Sequence, residues 1–310
     1  FNYLIQNIKN FEKNIFISIS ICFSILCLDA IFQYLTGFNS LGWITRENRV
    51  SGFFGKELIL GSYLIKILPI FLVVYFSNSF EITKIKKIIF FLISLLTILT
   101  IIISGERAAF ISMLIFAILT IFFLFYFKKF ITILILFTSF IFISINSLKG
   151  PKDRLLNELK YEIQTDNTKN VFLDYAPKNH VNLFKTSFNI GINNPIFGAG
   201  VNNFRYECVN YKPYKCNTHP HNTYLQIFAE TGIFGLFFII LLFLYIIYKL
   251  LICVKDKFFE KITHKSNIII LISCFVLFFP IMTNGNFFNN YLSILYFINL
   301  SFLFKVNFKK

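Results

Sequence analysis

No stretch of this chain alternates apolar and polar residues over the length of a strand, which argues against a transmembrane β-barrel. No internal repeat is visible, so the inverted repeats that mark many transporters find no support. The chain starts at Phe1 rather than Met and carries no signal peptide, as expected of a chain lacking earlier membrane spans. Acidic residues are scarce, 15 against 30 Lys plus Arg. Arginine is scarcer still: Arg46, Arg49, Arg107, Arg154 and Arg205 are all there are.

What fills the chain is Phe, Ile and Leu. There are 44 Phe among 310 residues, and mean hydropathy is +0.68. The apolar residues fall in runs of about 20, enough to cross a ~30 Å hydrocarbon core as helix. The expectation is an all-α polytopic membrane protein with eight spans, at 15–36, 58–79, 88–104, 108–127, 130–147, 223–249, 267–283 and 287–304. Three regions follow. Residues 1–147 hold five spans with short loops, 148–222 form one large loop, and 223–310 hold three spans.

Lysines set the orientation. Lys84, Lys86, Lys87, Lys128, Lys129, Lys249, Lys255, Lys257, Lys261 and Lys265 fall in three short loops on one side, joined by terminal lysines. That side, with both chain ends, is expected to be cytoplasmic. Loop 148–222 is then extracytoplasmic. The net charge of +15 reads as this topology signal. The implied partners are anionic headgroups of membrane lipids, not nucleic acid.

The five arginines all fall on the expected outer face. The topology rule treats Arg and Lys alike. Arg differs in its planar fork, which holds phosphate in a bidentate way. An extracytoplasmic phosphate site is one reading; headgroup anchoring and ordinary surface pairing is the other. Arg49 in RVSGFFGKE and Arg107 in ISGERAAF stand nearest the membrane face. Asp29 and Lys66 fall inside spans, where charges usually face the bundle interior. Cys208 and Cys216 lie in the outer loop, where an oxidising compartment favours a disulfide and a reducing one two thiols. Cys22, Cys27, Cys253 and Cys274 lie in or next to spans and read as small apolar residues.

The most informative segment is HPHNTYLQIFAETGIFG, His219 to Gly235. Thr223 to Gln226 fits a capping box, with a helix starting near Thr223. His221 and Asn222 then precede a helix N-terminus, where the dipole and free N–H groups favour an anion. Gly232 and Gly235 permit close approach of another helix or an extended chain. A neutral imidazole, pKa ~6.5, can accept a hydroxyl proton. His221 is therefore a candidate general base or, more plainly, a capping histidine. A metal site built on His219 and His221 would need further ligands, and Glu230, His180 and Asp174 have no diagnostic spacing.

The pattern H-N, nine residues, G-x-x-G in His221, Asn222, Gly232 and Gly235 resembles the O-antigen ligase family, within the wider group of Wzy-type polymerases. NNPIFGAGVNNF, ISGERAAF and RVSGFF resemble further family segments in the same order. Glu106 stands where a small residue is common, which sets a carboxylate beside Arg107. The resemblance implies a GT-C-like helical bundle. It implies inverting glycosyl transfer from an undecaprenyl-pyrophosphate-linked glycan donor, without metal, cofactor or nucleotide sugar. The acceptor would be a lipid A core for a ligase or a glycan repeat for a polymerase; a lipid or solute transporter is the alternative from another class. By position His221 would be the catalytic base, and Arg49 and Arg107 would hold the donor. Arg205, His219, Asn222 and Glu230 would support the substrate. The setting would be the bacterial cytoplasmic membrane with loop 148–222 in the periplasm.

Overall fold

The computed structural model describes residues 11–46, 48–77, 83–157, 178–211, 216–258 and 265–305. Isoleucine and phenylalanine prefer strands by intrinsic propensity. The long apolar runs described are nevertheless mostly helical, because a segment in lipid must satisfy its own backbone groups. In chain order the helices are α1 (Phe11–Thr36), α2 (Leu60–Tyr75), α3 (Lys84–Ile103), α4 (Arg107–Leu124), α5 (Phe127–Ser147), α6 (Lys149–Lys152), α7 (Lys178–Asn193), α8 (Phe204–Glu207), α9 (Thr223–Phe258), α10 (Lys265–Leu277) and α11 (Asn290–Lys305). Among the described residues the only bridges of β type are Phe38 with Ile44 and Arg46 with Arg49.

Five helices, α1, α3, α4, α5 and α9, are long and apolar enough to cross a membrane. Three more, α2, α10 and α11, are apolar but shorter. The chain is an all-α polytopic membrane protein. Within 148–222 the structure holds α6, a π-helical turn at Asp153–Asn157, α7 and α8. Most of RLLNELKYEI, with Asp174, lies outside the described residues, as does the His180 side chain.

The chain forms two compact units. The first is Phe1–Leu159, Leu250–Val276 and Ile298–Lys310; the second is Lys160–Lys249 and Leu277–Phe297. In the first, α1 packs on α2 and α3. Phe71 stacks on Phe16 with centroids 5.0 Å apart, and Tyr75 stacks on Phe90 at 3.7 Å. Lipid tails are as apolar as these rings, so close packing rather than water exclusion holds such contacts. α3 ends at Ser104–Gly105, with Gly105 in the left-handed region at φ +66°, a usual helix stop.

In the second unit α7 supplies Leu183 and Ile190 to a small core with Phe204, Cys208 and Ala229. α9 is broken at Gly232, whose backbone is at φ 68°, ψ −159°. The turn segment Pro195–Gly200 fills the break. Ala199 and Gly200 N–H donate to the carbonyls of Ala229 and Glu230 at 2.8 and 3.0 Å, and Ile233 N–H donates to Pro195 O at 2.8 Å. Backbone groups that the kink removes from the helix are thereby paired.

Candidate functional site

In the first unit three arginines meet around Gly105. A Cβ there would lie 3.2 Å from Arg49 Cγ and 3.4 Å from Arg154 Cγ. Arg107, two residues on, donates from Nε to Arg154 O at 3.1 Å. Arg49 donates from Nη2 to Leu58 O at 2.7 Å. All three are half-buried. Backbone carbonyls thus fix the direction of two planar forks. Arg154 was not singled out from sequence, and nothing local marks it; the turn at Asp153–Asn157 brings it in. Arg46 is exposed and pairs with Arg49 through backbone.

Buried polar side chains hold this cluster in place. Glu106 accepts from Gly61 N at 2.7 Å and from Ser62 N and Oγ at 3.2 and 2.6 Å. Its carboxylate therefore caps the start of α2. Burial pushes the Glu106 carboxyl up, against the pull of the Ser62 hydroxyl, Arg49 and the two backbone N–H groups. The loop that carries Arg49 is pinned from α1. Gln33 accepts from Ser51 N and Gly52 N at 3.0 and 2.7 Å, and Asp29 accepts from Ser40 N and Oγ at 3.0 and 2.6 Å. Asp29 is thus a loop anchor. Lys66 is buried in α2, and its carbonyl accepts from Asn299 at 3.0 Å.

In the second unit His221 stands directly before α9, in the left-handed region at φ 61°. Histidine tolerates that region better than most residues, at a cost of about 1–3 kcal/mol that surrounding bonds must offset. Its carbonyl accepts from Asn284 N at 2.9 Å, and its ring lies 4.2 Å from that of His219. His221 Nε2 is 3.1 Å from Asn217 Nδ2. Asn217 Oδ1 accepts from Thr218 N at 2.7 Å, which orients the amide so that its nitrogen faces the imidazole. Nε2 is then the acceptor nitrogen and Nδ1 carries the proton.

The cap differs from the pattern expected. Asn222, not Thr223, is the N-cap: its Oδ1 accepts from Leu225 N at 3.0 Å while its Nδ2 donates to Pro280 O at 2.7 Å. Both ends of that amide are engaged inside the protein. Gln226 does not reach back to close a capping box. Its Nε2 donates to Asn286 Oδ1 at 2.6 Å and its Oε1 accepts from Phe287 N at 2.9 Å. Asn286 in turn donates to Asn202 Oδ1 at 3.3 Å. The polar run TNGNFFNN, 283–290, between two apolar segments is the sequence signal for this network.

Glu230 is 1% exposed and accepts from Asn202 N and Phe204 N, each at 3.1 Å. It holds the GAGVNNF segment rather than opening to solvent. Arg205 is within electrostatic reach of Glu230 and 6.0 Å from the Tyr206 ring centroid. His219 Nδ1 pairs with Thr218 Oγ1 at 2.9 Å. Cys208 and Cys216 are joined as a disulfide with Cα atoms 5.5 Å apart, one residue before Asn217.

Two comparisons with known proteins bear on this geometry. No curated protein matches the chain. A family model described as O-antigen ligase matches residues 92–240, a stretch that includes Arg107, Arg154, Arg205, His221 and Glu230.

Proposed function

We propose that this chain, whose residues 92–240 match the O-antigen ligase family, is an inverting glycosyltransferase using an undecaprenyl-pyrophosphate-linked glycan. The reaction takes place at the outer face of the bacterial cytoplasmic membrane, with both ends of this chain cytoplasmic and loop 148–222 periplasmic. The acceptor is a lipid A core, making the protein a ligase. The observation that carries the reading is His221. It is half-buried before α9, with Nε2 kept as the acceptor nitrogen by Asn217.

In the transfer, an acceptor hydroxyl replaces the Asn217 amide at Nε2. Its proton passes to His221 as its oxygen bonds to the anomeric carbon of the donor. The bond from that carbon to the pyrophosphate oxygen breaks, and undecaprenyl pyrophosphate leaves with the electron pair. Arg49 and Arg107, with Arg154 beside them, take the phosphate oxygens through their forks and offset the growing charge. Pyrophosphate leaves as a stable anion, so the scheme uses neither a metal nor a general acid. Asn222 and Glu230 act through positioning; Arg205 and His219 support the substrate.

The test is the surface glycan of a deletion strain complemented with wild type or His221→Ala. The proposal expects bare core and long chains stranded on the lipid carrier, with rescue by wild type alone. Core carrying a single repeat would make the protein a polymerase. Rescue by His221→Ala would remove the base role. Arg107→Lys should also impair transfer, since a point charge does not replace the fork; full activity there would make Arg107 a headgroup anchor.

A further inference from the structure

α7 and the turn after it are apolar on a side that the core does not use. Leu183, Thr186, Ser187, Ile190 and Gly191 are buried and mark the core-facing side. Phe188 and Ile192 nevertheless stand 51% and 52% exposed, and Ile196 and Phe197 in the turn are 54% and 76% exposed. At about 25 cal/mol per Å², leaving four such side chains in water is costly. Lys185, Asn189 and Asn193 form the remaining exposed arc of the helix.

The turn is not free to fold these residues away. Pro195 O, Ala199 N and Gly200 N are tied to the backbone of α9 around Gly232. Phe197 stacks on Phe234 of α9, with centroids 5.5 Å apart and planes within 14°. Phe234 belongs to an exposed apolar face of α9 with Ile233, Phe237, Phe238 and Leu241. α9 is a membrane-crossing helix by length and composition, so that face meets acyl chains. From Ile233 to Tyr248 it carries no charge, and Lys249 follows. Sixteen residues of helix span about 24 Å, so hydrocarbon begins close to Ile233. Phe197 therefore stands at that boundary, and the exposed apolar surface of the turn continues the lipid-facing surface of α9.

We propose that Phe188, Ile192, Ile196 and Phe197 insert into the bilayer where the uncharged stretch of α9 begins, beside Gly232, so that α7 is an interfacial helix. Acyl chains cover its apolar edge. Lys185, Asn189 and Asn193 face headgroups and water. The insertion sets the depth of the segment that fills the α9 break. None of the four residues has a role in the transfer chemistry, so this assignment stands or falls apart from it.

Tryptophan placed along α7 reads the depth. Phe197→Trp, Phe188→Trp and Asn189→Trp are each reconstituted as the full chain in vesicles of lipids brominated high on the acyl chain. Emission is read as the difference from the parent, whose single tryptophan is Trp43. Insertion predicts that bromolipid removes about half or more of the signal at 197 and 188, positions with different neighbours, so one misfolded variant does not void the test. At 189, one residue away on the polar arc, the loss should be several-fold smaller. Signals at 188 and 197 that acrylamide quenches and bromolipid does not would place the edge in water. Quenching by neither would mean a protein or glycolipid covers it. Equal bromolipid quenching at 188 and 189 would mean no oriented helix. Each of these results overturns the proposal.

Discussion

The arginine cluster and the histidine site are built by different means. Around Arg49, Arg107 and Arg154, long-range order comes from buried side chains reaching backbone: Glu106 to α2, Gln33 and Asp29 to the loop of Arg49. Around His221 buried side chains reach backbone too, Asn222 to Pro280 and Glu230 to Asn202, but the break at Gly232 adds a second kind of frame, backbone on backbone, with Pro195–Gly200 completing the helix. The first kind of frame tolerates small changes in position, because a side chain can rotate. The second does not, because two main chains in contact have no slack.

The largest expected effect comes from that lack of slack. An alanine Cβ at Gly232 would lie 2.3 Å from Ile196 O, and at Gly198 2.3 Å from Glu230 C. Both glycines are also at φ +68°. Gly232→Ala should therefore cost about 3 kcal/mol or more and remove folded protein from the membrane at 37 °C. Gly105→Ala, in the side-chain-built unit, meets nothing closer than 3.2 Å. It should be retained in the membrane at a cost of about 1–2 kcal/mol, chiefly from its positive φ, with neighbours at 3.2–3.4 Å shifting by a few tenths of an ångström. Thermal unfolding in detergent ranks the two, and equal midpoints would end the distinction between the frames.

A pair of carboxylates sharpens the same contrast. Glu106 and Glu230 each accept two backbone N–H bonds from another element. An amide in either place sets an NH₂ against one of those N–H groups, a loss of about 1–3 kcal/mol. Glu106 also acts on Arg49 through charge. Glu106→Gln should therefore raise the KM for lipid-linked donor as well as lower stability. Glu230→Gln should lower stability to a similar extent with the donor KM unchanged. A donor KM that moves equally in both would put Glu230 in the donor site.

The two units also differ in how much of them was legible in the sequence. Apolar runs read well as helices, since lipid leaves an isolated segment no other way to pair its backbone. Gly232 and Gly235 read as close approach of a helix or an extended chain, and at Gly232 the structure gives neither: the partner is the turn at Ile196–Phe197. What was not legible is tertiary. Asn222 and Thr223 are both good caps, and only the bonds of Asn222 to Pro280 and of Gln226 to Asn286 decide between them. Arg154 has no local mark and joins Arg107 across 47 residues. Glu106 read as a neighbour of Arg107 because adjacency in sequence is visible, whereas its partners Gly61 and Ser62 are not.

The smallest effect, and the one specific to chemistry, lies at Asn217. It is exposed, so its loss should leave stability nearly unchanged. Its amide nitrogen is what keeps His221 Nε2 an acceptor. Asn217→Asp removes that donor and offers a carboxylate, which favours a proton on Nε2 and so works against the base. Turnover should fall about tenfold, the kinetic equivalent of ~1.4 kcal/mol, with little change in the donor KM. Asn217→Ser, whose hydroxyl can still donate over a shorter reach, should recover part of the loss. The nitrogen chemical shift of labelled His221 separates a tautomer effect from a loosened loop. A protonated Nε2 in Asn217→Asp and a bare one in wild type is the expected pair. If both variants lose turnover equally and the shift stays put, Asn217 merely holds the loop beside the Cys208–Cys216 disulfide.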